Sequence, residues 1–280
     1  MNSLLEFTLL IAAGSFLAGL LGSLTGLGGG VIIVPLLTLV FHVDIRYAIG
    51  ASLVSVIATS SGAAAAYLKE GFSNIRVGMF LEVATTIGAL CGAYLATRVP
   101  TAAIAIVFGV VLLYSAWTSI EPDENVPVRE QTDRFGALLK LDGTYPARDG
   151  SWRAYHVRRV PLGFGLMYVA GTLSGLLGIG SGAVKVLAMD RAMSIPFKVS
   201  TTTSNFMIGV TAAASAGIYL HRGYIDPGLA MPVTLGVLAG ALLGARLLPE
   251  AKVRTLRIIF GIAIAAVAIE MIVKGVKGNL

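Results

Sequence analysis

The sequence predicts an all-α integral membrane protein with two inverted repeats, each made of a glycine-broken helical hairpin plus three transmembrane helices. Only 13% of the 280 residues are charged and 56% are hydrophobic, whereas soluble domains carry about 25% charged residues. Long apolar runs fill most of the chain, and blocks of its first half recur in its second half. We expect a first transmembrane repeat at 1–120, a polar cytoplasmic loop at 121–160 and a second transmembrane repeat at 161–280.

Most apolar segments are long enough to cross a hydrocarbon core of about 30 Å as helices. Two are too short, because Val31–Phe41 would span roughly 16 Å and Ala183–Met189 about 10 Å. Each short segment follows a cluster of glycines, which predicts a break in the helix at that point. The segments lie at 5–24, 31–41, 46–68, 76–97, 101–119, 161–177, 183–189, 196–220, 228–248 and 254–273.

The two halves resemble each other when one is shifted by 152 residues. After the first matching block the shift changes to about 150, which indicates a small gap. An internal duplication of this kind is the usual plan of secondary transporters. The matching blocks are Gly26–Gly30 with Gly178–Gly182, Tyr67–Gly71 with Tyr219–Gly223, and Gly88–Ala93 with Gly240–Ala245.

The loop at 121–160 differs from the rest because it holds 14 of the 36 charged residues, seven of each sign. Within it, Leu138–Asp142 and Ser151–Val157 flank Gly143, Pro146 and Gly150, a pattern that favours a small β-hairpin or a compact loop. A solvated linker and a regulatory module remain alternative interpretations of the whole loop.

The distribution of positive charge predicts the orientation in the membrane. If each glycine cluster is the tip of a hairpin, 15 Lys and Arg residues face one side and five face the other. If each cluster only kinks a continuous helix, the division is 12 against eight. Because Lys and Arg concentrate in cytoplasmic loops, hairpins are favoured. The 121–160 loop is then cytoplasmic, both termini are extracytoplasmic, and the repeats are inverted.

The glycine clusters are the first candidate binding site. Glycine permits close approach of the backbone to a ligand, and a helix that begins there directs N–H groups at an anion. Close helix packing is the alternative explanation, and we prefer it for Gly88, Gly92, Gly236, Gly240 and Gly244. The candidate substrate-binding residues in the clusters are Gly26, Gly28, Gly29, Gly30, Gly178, Gly180, Ser181 and Gly182.

Lys185 is the second candidate, since a cation within an apolar segment suggests a functional site. It could neutralise an anionic substrate, reach a membrane interface or pair with Asp190. Glu82, inside another apolar segment, is a candidate for proton coupling, although it could instead pair with Arg76. Hydroxyl and amide groups that could bind anion oxygens, or alternatively cap helices and bond to neighbouring ones, are carried by Ser52, Ser55, Thr202, Thr203 and Asn205.

No cofactor or metal is expected, because His42, His156 and His221 lie far apart and form no ligand spacing. No basic stripe with interleaved aromatic residues indicates nucleic-acid binding. The expected partners are a small anionic substrate, the lipid bilayer and, through glycine-rich helix faces, a second copy in a homodimer.

The segments GLLGSLTGLGGGVIIVPLL at 19–37 and GTLSGLLGIGSGAVKVLAM at 171–189 resemble the two signature segments of the TauE/SafE family. The resemblance covers nearly the whole chain. It implies a bacterial or archaeal inner-membrane permease for sulfur-containing anions such as sulfite or organosulfonates. The halves differ within the signatures, where Pro35 has Leu187 as its counterpart.

The predicted function is therefore a secondary transporter of small sulfur-containing anions, with the anion bound near the midplane between the repeats and exposed alternately to each side. A passive anion channel and a permease for another small organic anion remain alternatives. An enzyme is not predicted, because the apolar segments contain no nucleophile–base pair and no metal-ligand cluster.

Overall fold

A computed structural model describes residues 2–25, 29–69, 73–120, 133–146, 151–247 and 253–278. The first half contains α1 (Asn2–Thr25), α2 (Gly30–Pro35), α3 (Ile45–Lys69), α4 (Ile75–Ala96) and α5 (Thr101–Ile120). The connection contains α6 (Arg134–Leu138), β1 (Gly143–Pro146) and β2 (Trp152–Tyr155). The second half contains α7 (Val160–Leu177), α8 (Gly182–Leu187), α9 (Phe197–His221), α10 (Pro227–Leu247) and α11 (Val253–Lys277).

Helices α1, α4, α7 and α10 are long and apolar enough to cross a membrane. Their apolar windows cover 5–22, 75–96, 160–177 and 227–244. Side chains on their outer faces are apolar and exposed, for example Met79, Val83 and Ile87 on α4. These features agree with the predicted all-α membrane class.

The two glycine clusters are followed by short helices, as the sequence predicts. Each short helix continues into one π-helical turn, at Leu36–Val40 after α2 and at Ala188–Ala192 after α8. Each continuous segment has 11 residues, so it spans roughly 16 Å, about half of the hydrocarbon core. The predicted end of the second segment at Met189 is wrong, because the polar residues Asp190 and Arg191 end the apolar run but not the helix. The π turn of the first half follows Pro35, whereas the equivalent π turn of the second half follows Leu187. A preceding proline is therefore not required for this turn.

The starts of four helices repeat at a constant shift of 152 residues. Helices α2, α3, α4 and α5 begin 152 residues before α8, α9, α10 and α11, respectively. The predicted change of the shift to about 150 is therefore wrong, and Ser52 corresponds to Ser204.

The main helix pairs each take one helix from each half. Helix α1 packs along α10, α4 along α7, α5 along α11 and α3 along α9. Helix α1 corresponds to α7, and α10 corresponds to α4. The α1–α10 pair is therefore equivalent to the α7–α4 pair, and the two halves are packed in equivalent ways.

Glycines make the close helix pairs possible, which confirms the packing interpretation for four of them. A Cβ atom on Gly88 would meet the carbonyl oxygen of Tyr168, and one on Gly240 would meet that of Phe16. Gly92 and Gly236 likewise face the backbone of a neighbouring helix. Because these faces pack within the chain, they no longer support the predicted homodimer, which stays a prediction.

The polar loop contains the predicted hairpin, although one strand differs. Strands β1 and β2 are antiparallel, with Gly143 opposite Tyr155 and Pro146 opposite Trp152. The strand expected before Gly143 is wrong, because Leu138 ends a short helix and the observed strand includes two of the three predicted breaking residues, Gly143 and Pro146. The third, Gly150, lies outside the described residues. A two-stranded sheet has only edge strands, in which proline is tolerated because its nitrogen need not donate.

The hairpin is fixed to the end of α4 by Asn74. Its Oδ1 accepts a hydrogen bond from the Val77 N–H at 3.0 Å, which caps the helix. Its Nδ2 donates to the Tyr155 hydroxyl at 2.7 Å and to the Leu141 carbonyl at 3.0 Å. The connecting loop is therefore packed onto the membrane helices at this point.

Candidate functional site

The start of α2 lies close to the second glycine break and to α3. Ser52 on α3 donates a hydrogen bond of 2.7 Å to the carbonyl oxygen of Gly178, at the end of α7. A Cβ atom on Gly30 would lie 3.0 Å from the Ser52 hydroxyl and 3.4 Å from the same carbonyl oxygen. The start of α2, which follows the first glycine cluster, therefore lies beside the glycine break of the second half. Gly29, next to Gly30, packs against Val237, whereas Gly26 and Gly28 lie outside the described residues.

The second break turns through backbone conformations that favour glycine. Gly178 and Gly180 have φ angles of +68° and +69°, and Ser181 between them and α8 has +45°. The side chains of Val56 and Ile208 both approach Gly180, and these two residues occupy equivalent positions in the two halves. The break is thus enclosed by equivalent apolar side chains of α3 and α9.

Two hydroxyl groups near the second break have no hydrogen-bond partner among the described residues. Ser174, at the end of α7, is fully buried, and Ser181 is 4% exposed. Buried polar groups are nearly always paired, so an unpaired one requires an explanation. A ligand with oxygen acceptors at this break would supply the missing partner.

Lys185 and Glu82 are joined through Thr211 inside the protein. The Lys185 ammonium donates to the Thr211 hydroxyl oxygen at 2.6 Å, and this hydroxyl lies 2.7 Å from Glu82 Oε1. Lys185 is fully buried and Glu82 is 8% exposed. Lys185 therefore does not reach an interface, and Glu82 bonds to Thr211 while Arg76 donates to the Lys140 carbonyl. The second oxygen of Glu82 has no partner among the described residues.

The other predicted residues have more local contacts. Ser55 and Thr202 donate to carbonyl oxygens of their own helices, and Gly182 lies beside Ile208 and Ser204. Thr203 lies away from the breaks, where its hydroxyl accepts a hydrogen bond of 3.0 Å from the Asn74 N–H. Asn205 is half-buried and forms no side-chain hydrogen bond within the described part of the chain.

Sequence reasoning did not select Thr211, Ser174 or the pair Val56 and Ile208. A signal for Thr211 was present, since it follows Ser204 by seven residues and therefore lies on the same helix face. Apolar residues such as Val56 carry no comparable signal, because membrane helices contain many of them.

A separate cleft of about 510 Å³ lies between the hairpin and the start of α4. It contains none of the predicted substrate-binding residues. Among the described residues, no group of three or more His, Cys, Asp or Glu side chains could hold a metal ion. The cleft is lined by Ser73, Asn74, Ile75, Arg76, Met79, Lys140, Asp142, Gly143, Thr144 and Tyr155.

Residues 11–271 match the family described as sulfite exporter TauE/SafE. The chain is 26% identical to YunE, a probable membrane transporter protein of Bacillus subtilis, over 97% of this chain and 99% of YunE. It is 28% identical to YdhB, another probable membrane transporter protein of that organism, over 85% and 89%. It is 24% identical to a probable membrane transporter protein of Methanocaldococcus jannaschii, over 96% of each chain. No solved structure matches the chain.

Proposed function

The chain belongs to the sulfite exporter TauE/SafE family, and from this premise we propose that it transports small sulfur-containing anions such as sulfite and organosulfonates. The family and the relatives of similar length make it a membrane transporter and not an enzyme. The substrate class of the proposal rests on the name of the family, and the mechanism rests on the repeated helix breaks.

The contact of Gly30 with Gly178 and Ser52 is the observation that carries the proposal. Broken helices at membrane depth are tolerated where they are buried in protein or line a cavity. The anion is held by N–H groups at the two breaks and by the unpaired hydroxyls of Ser174 and Ser181. Lys185, in the first turn of α8, supplies positive charge to the same region.

Alternating access follows from the duplication. The two halves form inverted repeats, and the bound anion is exposed to each side in turn as one half moves against the other. In the proposed orientation the protein lies in the inner membrane, with the 121–160 loop in the cytoplasm and both termini outside. Support for this orientation comes from the 15 Lys and Arg residues on the loop side, against five on the other.

Binding can be tested with purified protein and a panel of sulfite, thiosulfate, sulfoacetate, taurine, methanesulfonate and sulfate. An anion that binds the folded state raises its free energy of unfolding, by about 2.7 kcal/mol at 100 times its dissociation constant. We expect sulfite or an organosulfonate to raise the thermal midpoint. A panel without any such effect contradicts the substrate class.

Transport is then measured in proteoliposomes. Gly180→Val is expected to abolish flux, because its side chain would enter the site, while Gly165→Ala on α7 has open space around it and serves as the control. Unchanged flux in Gly180→Val and Lys185→Ala places the site elsewhere. Flux without saturable countertransport indicates a passive channel.

A further inference from the structure

The chain of Lys185, Thr211 and Glu82 leaves hydrogen-bonding groups unused in the protein interior. An ammonium group has three donors, and Thr211 is its acceptor among the described residues. Glu82 Oε2 has no partner there either. A purely structural ion pair is favourable only when its remaining donors and acceptors are also satisfied. These unused groups indicate that the arrangement also binds something else.

The Thr211 hydroxyl can change its partner. It carries one hydrogen and faces two acceptors, Glu82 Oε1 at 2.7 Å and the Met207 carbonyl oxygen at 2.8 Å. The ionised carboxylate attracts this hydrogen more strongly because hydrogen bonds to charged groups are stronger. If Glu82 becomes neutral, the hydroxyl can donate to Met207 in its own helix, and Lys185 then lacks an opposite charge.

We propose that the transported anion and Glu82 compete for Lys185, and that Glu82 takes up one proton from hydronium when the anion takes its place. This inference rests on the proposed function and names its coupling ion. One O–H bond of a hydronium ion breaks on the side where the anion enters, which leaves water, and the new O–H bond forms on the Glu82 carboxylate. On the other side the anion leaves, the Glu82 O–H bond breaks, and the proton passes to water. For a monovalent anion the buried charge is then zero before and after binding.

Charge balance gives the physical reason. A buried charge without a partner is strongly unfavourable, so a monovalent anion beside Lys185 and an ionised Glu82 would leave one negative charge uncompensated. Lys185 is the charged group on α8 that faces Glu82. From α9, Thr211 offers a hydroxyl, and α7 meets α4 near Thr85 through Gly171. Among these described groups only Glu82 can accept the compensating proton.

The other half lacks this arrangement, so coupling occurs once per chain. The residues 152 positions away from Lys185, Thr211 and Glu82 are Ile33, Thr59 and Thr234. Ile33 is fully buried, and Thr59 donates to carbonyl oxygens of its own helix. The stoichiometry that follows is one proton for each anion.

The test uses proteoliposomes and two labelled probes, sulfite and methanesulfonate, the second of which stays ionised at every pH used. Glu82→Gln is permanently neutral at this position. Its exchange of anion should no longer depend on pH, because Lys185 is free at every pH. It should lose accumulation driven by a pH gradient by tenfold or more. The double variant Glu82→Gln, Lys185→Met keeps the site neutral but should lose exchange as well.

Thr211→Val and Thr59→Val form a matched pair, since they remove equivalent hydroxyls from the two halves. We expect Thr211→Val to change the pH dependence of the half-saturating anion concentration and Thr211→Ser to restore it. Thr59→Val should keep the wild-type pH profile. If Glu82→Gln does not fold, the comparison of the pH profiles of Thr211→Val and Thr59→Val tests the proposal instead.

Gradient-driven accumulation that persists in Glu82→Gln overturns the inference, as does an identical pH profile for Thr211→Val and Thr59→Val. Equal exchange in the single and double variants overturns the role of Lys185. If the wild type moves neither probe, the proposed function itself fails, and this inference fails with it.

Discussion

Ser52 in the first half donates its hydroxyl hydrogen to the carbonyl oxygen of Gly178 in the second half, over 2.7 Å. The two residues are 126 positions apart in the chain, and both are buried. The bond joins α3 of the first half to the helix break of the second half. Its removal should therefore affect the stability of the whole protein and the binding site together.

Ser52→Ala should lower the free energy of unfolding by about 1–3 kcal/mol, because the Gly178 carbonyl loses its buried partner. The thermal midpoint in detergent measures this loss. Ser61→Ala is the control, since Ser61 is exposed and donates to Ile57 in its own helix, and its effect should stay within about 0.5 kcal/mol. Equal midpoints for the two variants would show that the bond between the halves contributes little.

Gly178→Ala should be destabilising for two reasons. The φ angle of +68° costs an L-residue about 1–2 kcal/mol, and the new Cβ would lie 2.7 Å from Ile49 Cγ2. Gly217→Ala, on an exposed helical position with open space, should instead raise stability by about 0.5–1 kcal/mol. Opposite shifts of the thermal midpoint are expected, and a shift of the same sign in both variants contradicts the strained conformation.

Gly88→Ala and Gly240→Ala should destabilise the protein to a similar extent, by about 1–3 kcal/mol each. At these equivalent positions a Cβ atom meets the backbone of the partner helix, α7 or α1. Gly165→Ala on α7 has no atom within 4 Å of its new Cβ and should be tolerated. The measurement is the thermal midpoint of each variant. A lower midpoint in only one of Gly88→Ala and Gly240→Ala would mean that the two packed helix pairs are not equivalent.

The attachment of the hairpin should weaken at high pH because of Tyr155. Burial raises the pKa of its phenol from 10.0 to about 12, so the folded state keeps the phenol neutral after the unfolded state begins to ionise. The stabilisation is complete below pH 10 and is lost as the pH rises towards 12. Trp152 fluorescence, measured in a Trp117→Phe background, reports on detachment of the strand.

The control for this transition is Tyr155→Phe. It lacks the hydroxyl that accepts from Asn74, so it should be less stable by about 1 kcal/mol near neutral pH. Its fluorescence should not show the alkaline transition. A transition of the same size in both proteins would assign the change to another group.

The sequence was sufficient to predict the helices, the duplication and the two breaks, because apolar length and glycine clusters are local signals. It also identified Lys185 and Glu82 as unusual, since charges are rare within apolar segments. Their connection could not be predicted, because it depends on α4 packing against α9 and on Thr211, which resembles many other hydroxyl residues. Thr203 was selected for its polarity, but its contact with Asn74 depends on the position of the hairpin.

The pairing of α1 with α10 and of α4 with α7 has a consequence for biosynthesis. The glycine face of α1 is covered by α10, which begins at Pro227. During translation this face of α1 therefore stays uncovered until α10 has been synthesised. A fragment that ends at residue 120 would leave these faces open and would need a second polypeptide to cover them. The two halves, produced as separate chains divided within 121–132, should therefore assemble with each other.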